Sequence, residues 1–223
     1  MVRGMPLLPL SPDELLSTTR AVRKRLDFDR PVPDQLIEEC LELALQSPSG
    51  SNNPTMQFVV VRDPALRAAV GDIYRQCYSI YQQLPGIYIR TIDKGSDDAN
   101  ATQQRSADSA DYLADHMGDA PVLVIACSTS GRLDGTPAVM SVNAMANVQP
   151  AMWSFMLAAR ARGLGTCWTS VHLFMEQQVA DVLGIPFDQV QQVCLTPVAF
   201  TKGTEFRAAD RPGSSSMIHW DRW

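Results

Sequence analysis

The chain has 223 residues, of which 45% are hydrophobic and 19% are charged. This is an ordinary soluble, globular composition, and a chain this long needs no disulfide or metal to hold its core together. Its 19 Lys and Arg residues are outnumbered by 24 Asp and Glu residues, and the net charge of -5 argues against broad nucleic-acid binding. The longest apolar run, 151–159, is too short to span a bilayer, and residues 1–10 lack the apolar stretch of a signal peptide.

The cysteines and histidines show no metal-binding pattern. The number of cysteines is odd, no two form a C-x-x-C pair, and most lie in apolar runs, which predicts reduced core thiols in a cytoplasmic protein. The three histidines are far apart and share no ligand spacing with the cysteines, so no metal site is predicted. The residues are Cys40, Cys77, Cys127, Cys167, Cys194, His116, His172 and His219.

A strong helix start precedes an unusually basic stretch. Ser11 is a suitable N-cap, Pro12 suits the first helical position and Glu14 completes a capping box, so we expect a helix to about Thr19. The stretch 18–25 then places four cations in six positions. Two interpretations stay open on these residues alone: a solvated helix end that complements the helix dipole, or a pocket for a phosphate, which arginine binds with two parallel hydrogen bonds.

A second helix is predicted over 33–46, and it ends in the turn-forming loop 47–54. This loop is either a plain surface loop or a polar wrapping for a planar ligand. Residues 58–61 predict a strand buried on both faces, and Asp63-Pro64 opens a third helix. Tyr74, Tyr78 and Tyr81 share one face of this helix, which favours packing in the core over stacking on a ligand.

The composition changes over 91–110, where large apolar residues almost vanish. A segment of this length without its own core is either disordered or a lid. We expect a mobile lid near a ligand rather than an inert insertion.

A buried strand follows at 121–127, and a helix at 146–162 has almost no polar face. A helix that is apolar all round must be buried all round. In a chain of this size, that predicts burial against a second subunit, and therefore a homodimer.

The last third of the chain is predicted as a strand entering at 166–170, a short helix at 176–183 and a strand at 190–200. Together the elements predict one α+β domain over 1–223, with a mixed central sheet flanked by helices. The tail 201–223 forms a C-terminal arm whose two tryptophans are expected to dock on its own body or on a partner. No Rossmann or P-loop motif is present.

The order of these pieces resembles the nitroreductase family of FMN-dependent, NAD(P)H-using flavoenzymes over nearly the whole chain, from about Ser11 to Trp223. The likeness rests on four motifs in the right order. They are R-A-V-R with the trailing P-V at 20–32, S-P-S-G-S-N at 47–52, L-A-A-R-A-R-G-L-G-T at 157–166, and Arg211-Pro212 with the closing His219-Trp220.

The resemblance implies an intertwined homodimer with an FMN site at the subunit interface. Arg20 and Arg23 would hold the FMN phosphate, with Ala21 between them and Arg211 closing from the tail. The backbone around Thr169 and Ser170 would reach the reactive edge of the ring, where a donor stabilises the negative charge of the reduced form. The loop residues Pro48, Ser49, Ser51 and Asn52 would line the flavin from the other subunit.

Two departures from the family pattern concern the pocket. Ala21 stands where the family usually has a serine, so one hydroxyl contact to the phosphate is missing. Residues 54–56, Pro-Thr-Met, stand where the family often has Q-P-W, which reshapes the floor near the loop and bears on substrate range.

The resemblance implies an oxidoreductase that passes electrons from NADPH or NADH to nitroaromatic, quinone or similar electron-poor acceptors by a ping-pong mechanism. The flavin carries this chemistry, so no catalytic side chain is predicted. A flavin-storage protein with little turnover is the alternative, and a nucleic-acid module is disfavoured by the acidic total. No nucleic-acid or membrane partner is expected.

Overall fold

A computed structural model describes residues 7–211 and 213–223 of the chain. The first six residues of the stretch compared with a signal peptide, and Pro212 of the Arg211-Pro212 motif, lie outside the described residues. The helices and strands, in chain order, are α1 (Pro12–Thr18), β1 (Leu26–Asp27), α2 (Asp34–Ala44), β2 (Met56–Val61), α3 (Pro64–Gln82), α4 (Asp97–His116), β3 (Val122–Ser128), α5 (Ala138–Ala161), β4 (Leu164–Thr166), α6 (Glu176–Leu183) and β5 (Gln191–Thr201).

Five strands form one sheet in the order β1-β5-β3-β2, and β4 also pairs with β5. The α+β class, with helices flanking a central sheet, is confirmed. The ladders differ from the predicted mixed sheet because every pairing between these strands is antiparallel. A parallel contact occurs at the isolated bridge between Ala21 and Thr166. Strand direction depends on the path of the connections, which the sequence pattern of a single strand does not encode.

The core lies on both faces of the sheet, and β3 is buried along its whole length. Its side chains alternate: Leu123 and Ile125 pack against α3, α4 and α6, whereas Val122 and Val124 pack against α2 and α5. The five cysteines are free and buried, as predicted.

The strand predicted at 58–61 is not buried on both faces. It lies within β2, which is an edge strand with one neighbour, so Val60 is exposed while Met56 and Val61 are buried. An apolar run indicates a strand but not its place in the sheet.

The segment 91–110 is not irregular, because most of it belongs to the 20-residue helix α4. Ser96 caps this helix by accepting from the Ala99 N–H at 3.4 Å. Arg90, in the preceding turn, binds the carboxylates of Asp108 and Asp111. The role of this helix as a lid stays a prediction.

The apolar helix predicted at 146–162 begins earlier, at Ala138. Its second half is buried in the core, with Phe155 and Ala159 fully inaccessible. Its first two turns expose large apolar side chains, with Val139 at 72% and Val142 at 67% exposure. These exposed side chains precede the predicted range 146–162, and within that range Trp153 is 40% exposed, so burial of the helix against a second subunit stays a prediction.

The two tryptophans of the C-terminal arm, Trp220 and Trp223, are 86% and 103% exposed, so they do not dock on the chain's own body. Among the described residues, no helix is long and apolar enough to cross a membrane.

Candidate functional site

One cavity of about 650 Å³ collects four of the predicted site residues. Arg20, Ala21 and Arg23 reach it from the segment after α1, and Arg211 reaches it from the C-terminal arm. The remaining lining residues come from α4 and its approach, from α5, from the segment after β4 and from the arm. They are Thr19, Lys94, Thr102, Gln103, Ser106, Trp153, Met156, Trp168, Ala209 and Asp210.

The backbone of the basic stretch is fixed by β4 and not by α1. The helix ends at Thr18, so the arginines do not continue a helical face. Ala21 forms the bridge to Thr166, and the Val22 N–H donates to the Thr166 carbonyl oxygen at 2.8 Å. This pairing holds Ala21 and Val22 along the cavity wall, and the chain then turns at 23–25, where the Leu26 N–H donates to the Arg23 carbonyl oxygen at 3.0 Å. Thr19 is the C-cap of α1, so Arg20 directly follows the helix end, and the interpretation as a phosphate pocket stays a prediction.

The four cations of the stretch have different environments. Arg25 donates to the carbonyl oxygens of Lys202, Gly203 and Glu205 at 3.1, 2.8 and 2.9 Å, and its side chain is thus occupied by the chain after β5. Lys24 is exposed and does not line the cavity. Only Arg20 and Arg23 of the four enter the cavity.

The cavity carries a surplus of positive charge. Within the described part of the chain, no ion pair engages Arg20, Arg23 or Arg211. Lys94 adds a fourth cation, and Asp210 is the one carboxylate among the described lining residues. Arg23 also donates to the Ser109 hydroxyl oxygen at 3.3 Å. Guanidinium groups gathered without carboxylate partners form a suitable site for a phosphate.

The cavity has two distinguishable ends. Arg20 and Arg211 also line an adjoining groove beside α1. Arg23 and Trp168 also line a smaller cavity of about 130 Å³, whose wall includes Tyr74 of α3. The arginines are therefore spread along the cavity, with Arg23 at the end away from the groove.

Thr169 lines the smaller cavity, and Ser170 is exposed next to it. The backbone of Thr169 is already paired: its N–H donates to the Leu195 carbonyl oxygen at 3.0 Å, and its carbonyl oxygen accepts from the Leu195 N–H at 2.8 Å. The Ser170 carbonyl oxygen accepts from the Leu173 N–H at 3.0 Å. Of the two predicted backbone donors, Thr169 is therefore occupied.

Buried groups beside the smaller cavity are held neutral. Burial raises the pKa of the Tyr74 phenol, although its hydrogen bond to Thr169 and the charge of Arg23 act in the opposite direction. Burial likewise raises the pKa of the Cys167 thiol despite the nearby Arg23 guanidinium. Burial therefore disfavours the charged form of both groups.

The predicted loop residues Pro48, Ser49, Ser51 and Asn52 are not brought to the cavity within one chain. The loop packs on the first half of α5, where the Gly50 N–H donates to the Asn147 side-chain oxygen at 3.2 Å.

The residues that the sequence analysis missed come mainly from α4 and α5. Thr102, Gln103 and Ser106 present a polar helix face to the cavity, and Trp153 covers it from α5. The signal for the first group was available, since Ser96 before two aspartates is a helix start. The position of Trp153 depends on the packing of α5, which the local sequence does not give.

Comparison with known proteins identifies the family. The model of the nitroreductase family matches residues 16–200. The chain belongs to the nitroreductase family. A relative from Archaeoglobus fulgidus, assigned as an NADH dehydrogenase/NAD(P)H nitroreductase, is 23% identical over 213 residues, which cover 94% of this chain and 97% of the relative.

Solved structures show the nitroreductase-like fold. An iodotyrosine deiodinase bound to FMN and 3-iodo-L-tyrosine superposes with a TM-score of 0.70 at 16% identity, covering 95% of this chain and 99% of that one. An FMN- and NADPH-dependent nitroreductase from Sphigopyxis sp. strain HMH gives a TM-score of 0.67 at 22% identity, covering 96% and 100%. The resemblance drawn from the four sequence motifs is confirmed at the level of family and fold.

Proposed function

We propose that this nitroreductase-family chain is an FMN-dependent oxidoreductase with NADPH or NADH as the electron donor. One observation carries the proposal: Arg20 and Arg23 near the start of the chain and Arg211 near its end line one cavity together with Trp153 and Trp168. That donor set fits a ligand with a phosphate and a planar ring system, because the guanidinium groups suit the phosphate and the indoles suit the ring. The relatives reported above are named for FMN or NAD(P)H, which supports the same assignment.

The two ends of the cavity favour a direction for the cofactor. Arg20 and Arg211 share the outer groove, so we assign the phosphate to them. Arg23 borders the smaller cavity next to Thr169, so we place it beside the ring system and not, as the sequence suggested, on the phosphate. Ala21 offers no hydroxyl to either end.

FMN bound here would supply the redox chemistry between NAD(P)H and an electron-poor acceptor such as a nitroaromatic or a quinone. The chain's own residues bind and orient the cofactor: the cations balance its phosphate, and the indoles and α4 limit the access of water. Because donor and acceptor would use the same face of the site in turn, ping-pong kinetics are expected.

A homodimer with the site at its interface is part of the proposal. The exposed apolar start of α5 needs a partner, and the loop 47–53 lies on this same half of the helix. Asn143, beside Gly50 of the loop, is ten residues from Trp153 in the cavity, which corresponds to about 15 Å along a helix. The loop is thus poorly placed to reach its own cavity, and we assign Pro48, Ser49, Ser51 and Asn52 to the site of the partner subunit.

The test is an absorption spectrum of the purified protein loaded with FMN, recorded before and after anaerobic addition of NADPH and then NADH. A yellow protein that bleaches supports the oxidoreductase and identifies the donor. A yellow protein that neither nucleotide bleaches would favour flavin storage instead. A protein that takes up no FMN would overturn the proposal. Light scattering at micromolar concentration tests the dimer, and a monomer would contradict it.

A further inference from the structure

The hydroxyl of Tyr74 makes a buried contact that the proposed redox chemistry does not use. Tyr74 lies on α3 and is 3% exposed, and its oxygen is 3.0 Å from the side-chain oxygen of Thr169. A buried phenol is retained in a core only where its hydroxyl finds a partner. Here that partner belongs to the segment after β4, which forms one wall of the candidate site.

Each polar group of Thr169 has a hydrogen-bond partner. Its N–H and carbonyl oxygen are paired with Leu195, and its side-chain oxygen also accepts from the Val171 N–H at 3.3 Å. The hydrogen bond between the hydroxyl groups of Tyr74 and Thr169 completes this set and connects the turn to α3. The orientation of the residues on either side of Ser170 is thereby set by contacts that no ligand has to supply.

The next residue, Ser170, differs from Thr169 in its backbone hydrogen bonding. It is exposed, its backbone begins the 3-10 turn Val171–Met175, and its carbonyl oxygen is used by Leu173. Among the described residues, its N–H has no hydrogen-bond partner. It lies between Thr169 and Val171, which both line the smaller cavity beside Arg23. Among the described residues, its N–H is therefore one backbone donor of this turn that remains available to a ligand.

We propose that Tyr74 is a positioning residue: through Thr169, its hydroxyl fixes the turn that presents the Ser170 N–H to the ring edge of FMN. This inference rests on the proposed function. A donor held in place before the cofactor binds needs no reorganisation when negative charge develops on the ring. Loosening the turn would therefore weaken binding of the reduced form more than binding of the oxidised form.

The test compares Tyr74→Phe and Thr169→Val with Thr169→Ser, which keeps the hydroxyl. Tyr88→Phe is the matched control, since it removes a buried tyrosine hydroxyl that is bonded to Asp111 at 3.0 Å and does not touch the turn. The first readout is amide hydrogen exchange over 167–173 in the FMN-free protein. Exchange there should be about tenfold faster in Tyr74→Phe and Thr169→Val, and unchanged in Tyr88→Phe and Thr169→Ser.

The second readout is the two-electron midpoint potential of the bound FMN. A tenfold loss in the preference for the reduced form lowers the potential by about 30 mV. The double variant Tyr74→Phe/Thr169→Val should show no larger shift than Thr169→Val alone, because Thr169→Val already removes the contact that Tyr74→Phe removes, together with the one from the Val171 N–H.

Unchanged exchange and potential in Tyr74→Phe, with a yellow wild-type protein, would overturn the positioning role while leaving the proposed function intact. An equal shift in Tyr88→Phe would also overturn it, since the effect would then be one of general packing. A wild-type protein that takes up no FMN would instead overturn the proposed function itself.

Discussion

The backbone N–H of Val22 donates to the carbonyl oxygen of Thr166 at 2.8 Å. This bond joins the segment that carries Arg20 and Arg23 to the strand that leads into Thr169. Arg20 and Arg23 on one side, and Thr169 on the other, therefore lie on two neighbouring backbone segments that this bond joins. Changes on one side chain of this segment should leave the backbone pairing intact, so the side-chain roles can be tested separately.

Arg20→Ala should weaken FMN binding by one charge-assisted contact, about 1.5–3 kcal/mol, or roughly 10- to 150-fold in the dissociation constant. Riboflavin, which has no phosphate, should bind the variant and the wild type equally. Fluorescence titration with both flavins measures this. Lys24→Ala is the control, because it removes the same charge from an exposed position outside the cavity. Equal losses of affinity for both flavins would show that Arg20 does not contact the phosphate.

Arg23→Ala should weaken FMN and riboflavin by similar factors, since Arg23 lies at the end of the cavity shared with Tyr74 and Thr169. The same titrations decide whether Arg23 lies beside the ring system or beside the phosphate. A loss of affinity for FMN but not for riboflavin would show that Arg23 contacts the phosphate, as the family resemblance implied.

Gly165→Ala should destabilise the fold by about 2 kcal/mol, in the range for overpacked sites. A Cβ at this position would lie 2.7 Å from a methyl carbon of Thr201, 2.9 Å from one of Leu26 and 3.0 Å from the Cβ of Val22. Urea unfolding of the FMN-free protein at fixed concentration measures the loss. Gly213→Ala is the control, because its nearest neighbour would be 3.8 Å away. Equal urea unfolding midpoints for the two variants would contradict this prediction and show that the strands can move apart to accommodate the added methyl group.

Glu176→Ala should destabilise the chain by about 3–5 kcal/mol, the range for a buried ion pair that loses one partner. The Glu176 carboxylate is 8% exposed and accepts from Arg132 and from the Gln192 N–H, both at 2.8 Å. Asp134→Ala removes the other carboxylate of Arg132, which is 80% exposed, and should change the unfolding midpoint little. Comparable losses in the two variants would contradict the assignment of burial as the cause.

His172 should make the fold less stable in acid. It is completely buried, and burial lowers its pKa from an ordinary 6.5 to about 3. Between these values the unfolded chain binds a proton that the folded chain does not. The free energy of unfolding therefore falls as the pH drops from 6.5 toward 3, by up to about 1.4 kcal/mol per pH unit.

His172→Leu should remove this contribution, so that its unfolding free energy depends less steeply on pH than that of the wild type. Urea unfolding at several pH values between 4 and 7 measures the two slopes. Parallel slopes would mean that His172 gains a proton in the folded state at its ordinary pKa.

Helix ends could be predicted because their caps depend on residues that are close together in the sequence. The capping box of α1 is present: the Ser11 N–H donates to the Glu14 carboxylate at 2.8 Å, and the Glu14 N–H donates to the Ser11 hydroxyl oxygen at 3.2 Å. Helix α6 ends at Gly184 in the left-handed conformation, at φ 67°. These features follow from spacing along the chain, so no other part of the fold was needed to predict them.

Helix α4 shows where this kind of prediction ends. It has few large apolar residues, so its sequence resembles an irregular segment. It is held in place by partners outside the helix: Arg90 binds Asp108 and Asp111, and the hydroxyl of Tyr78 donates to Asp111 at 2.8 Å. Side-chain pairs formed across elements cannot be found from the periodicity of one of them.

The sequence by itself determined the family, the order of the elements and the presence of arginines at a shared cavity, because these reside in short motifs and in the chemistry of single residue types. Only the tertiary structure decided how those residues are arranged. It separated Arg20 and Arg211 from Arg23 and paired the Thr169 N–H with Leu195, leaving the Ser170 N–H without a partner in the described residues. The reason is physical: which side chains share a cavity, and which backbone donors stay free, depends on strand pairing between residues far apart in the chain.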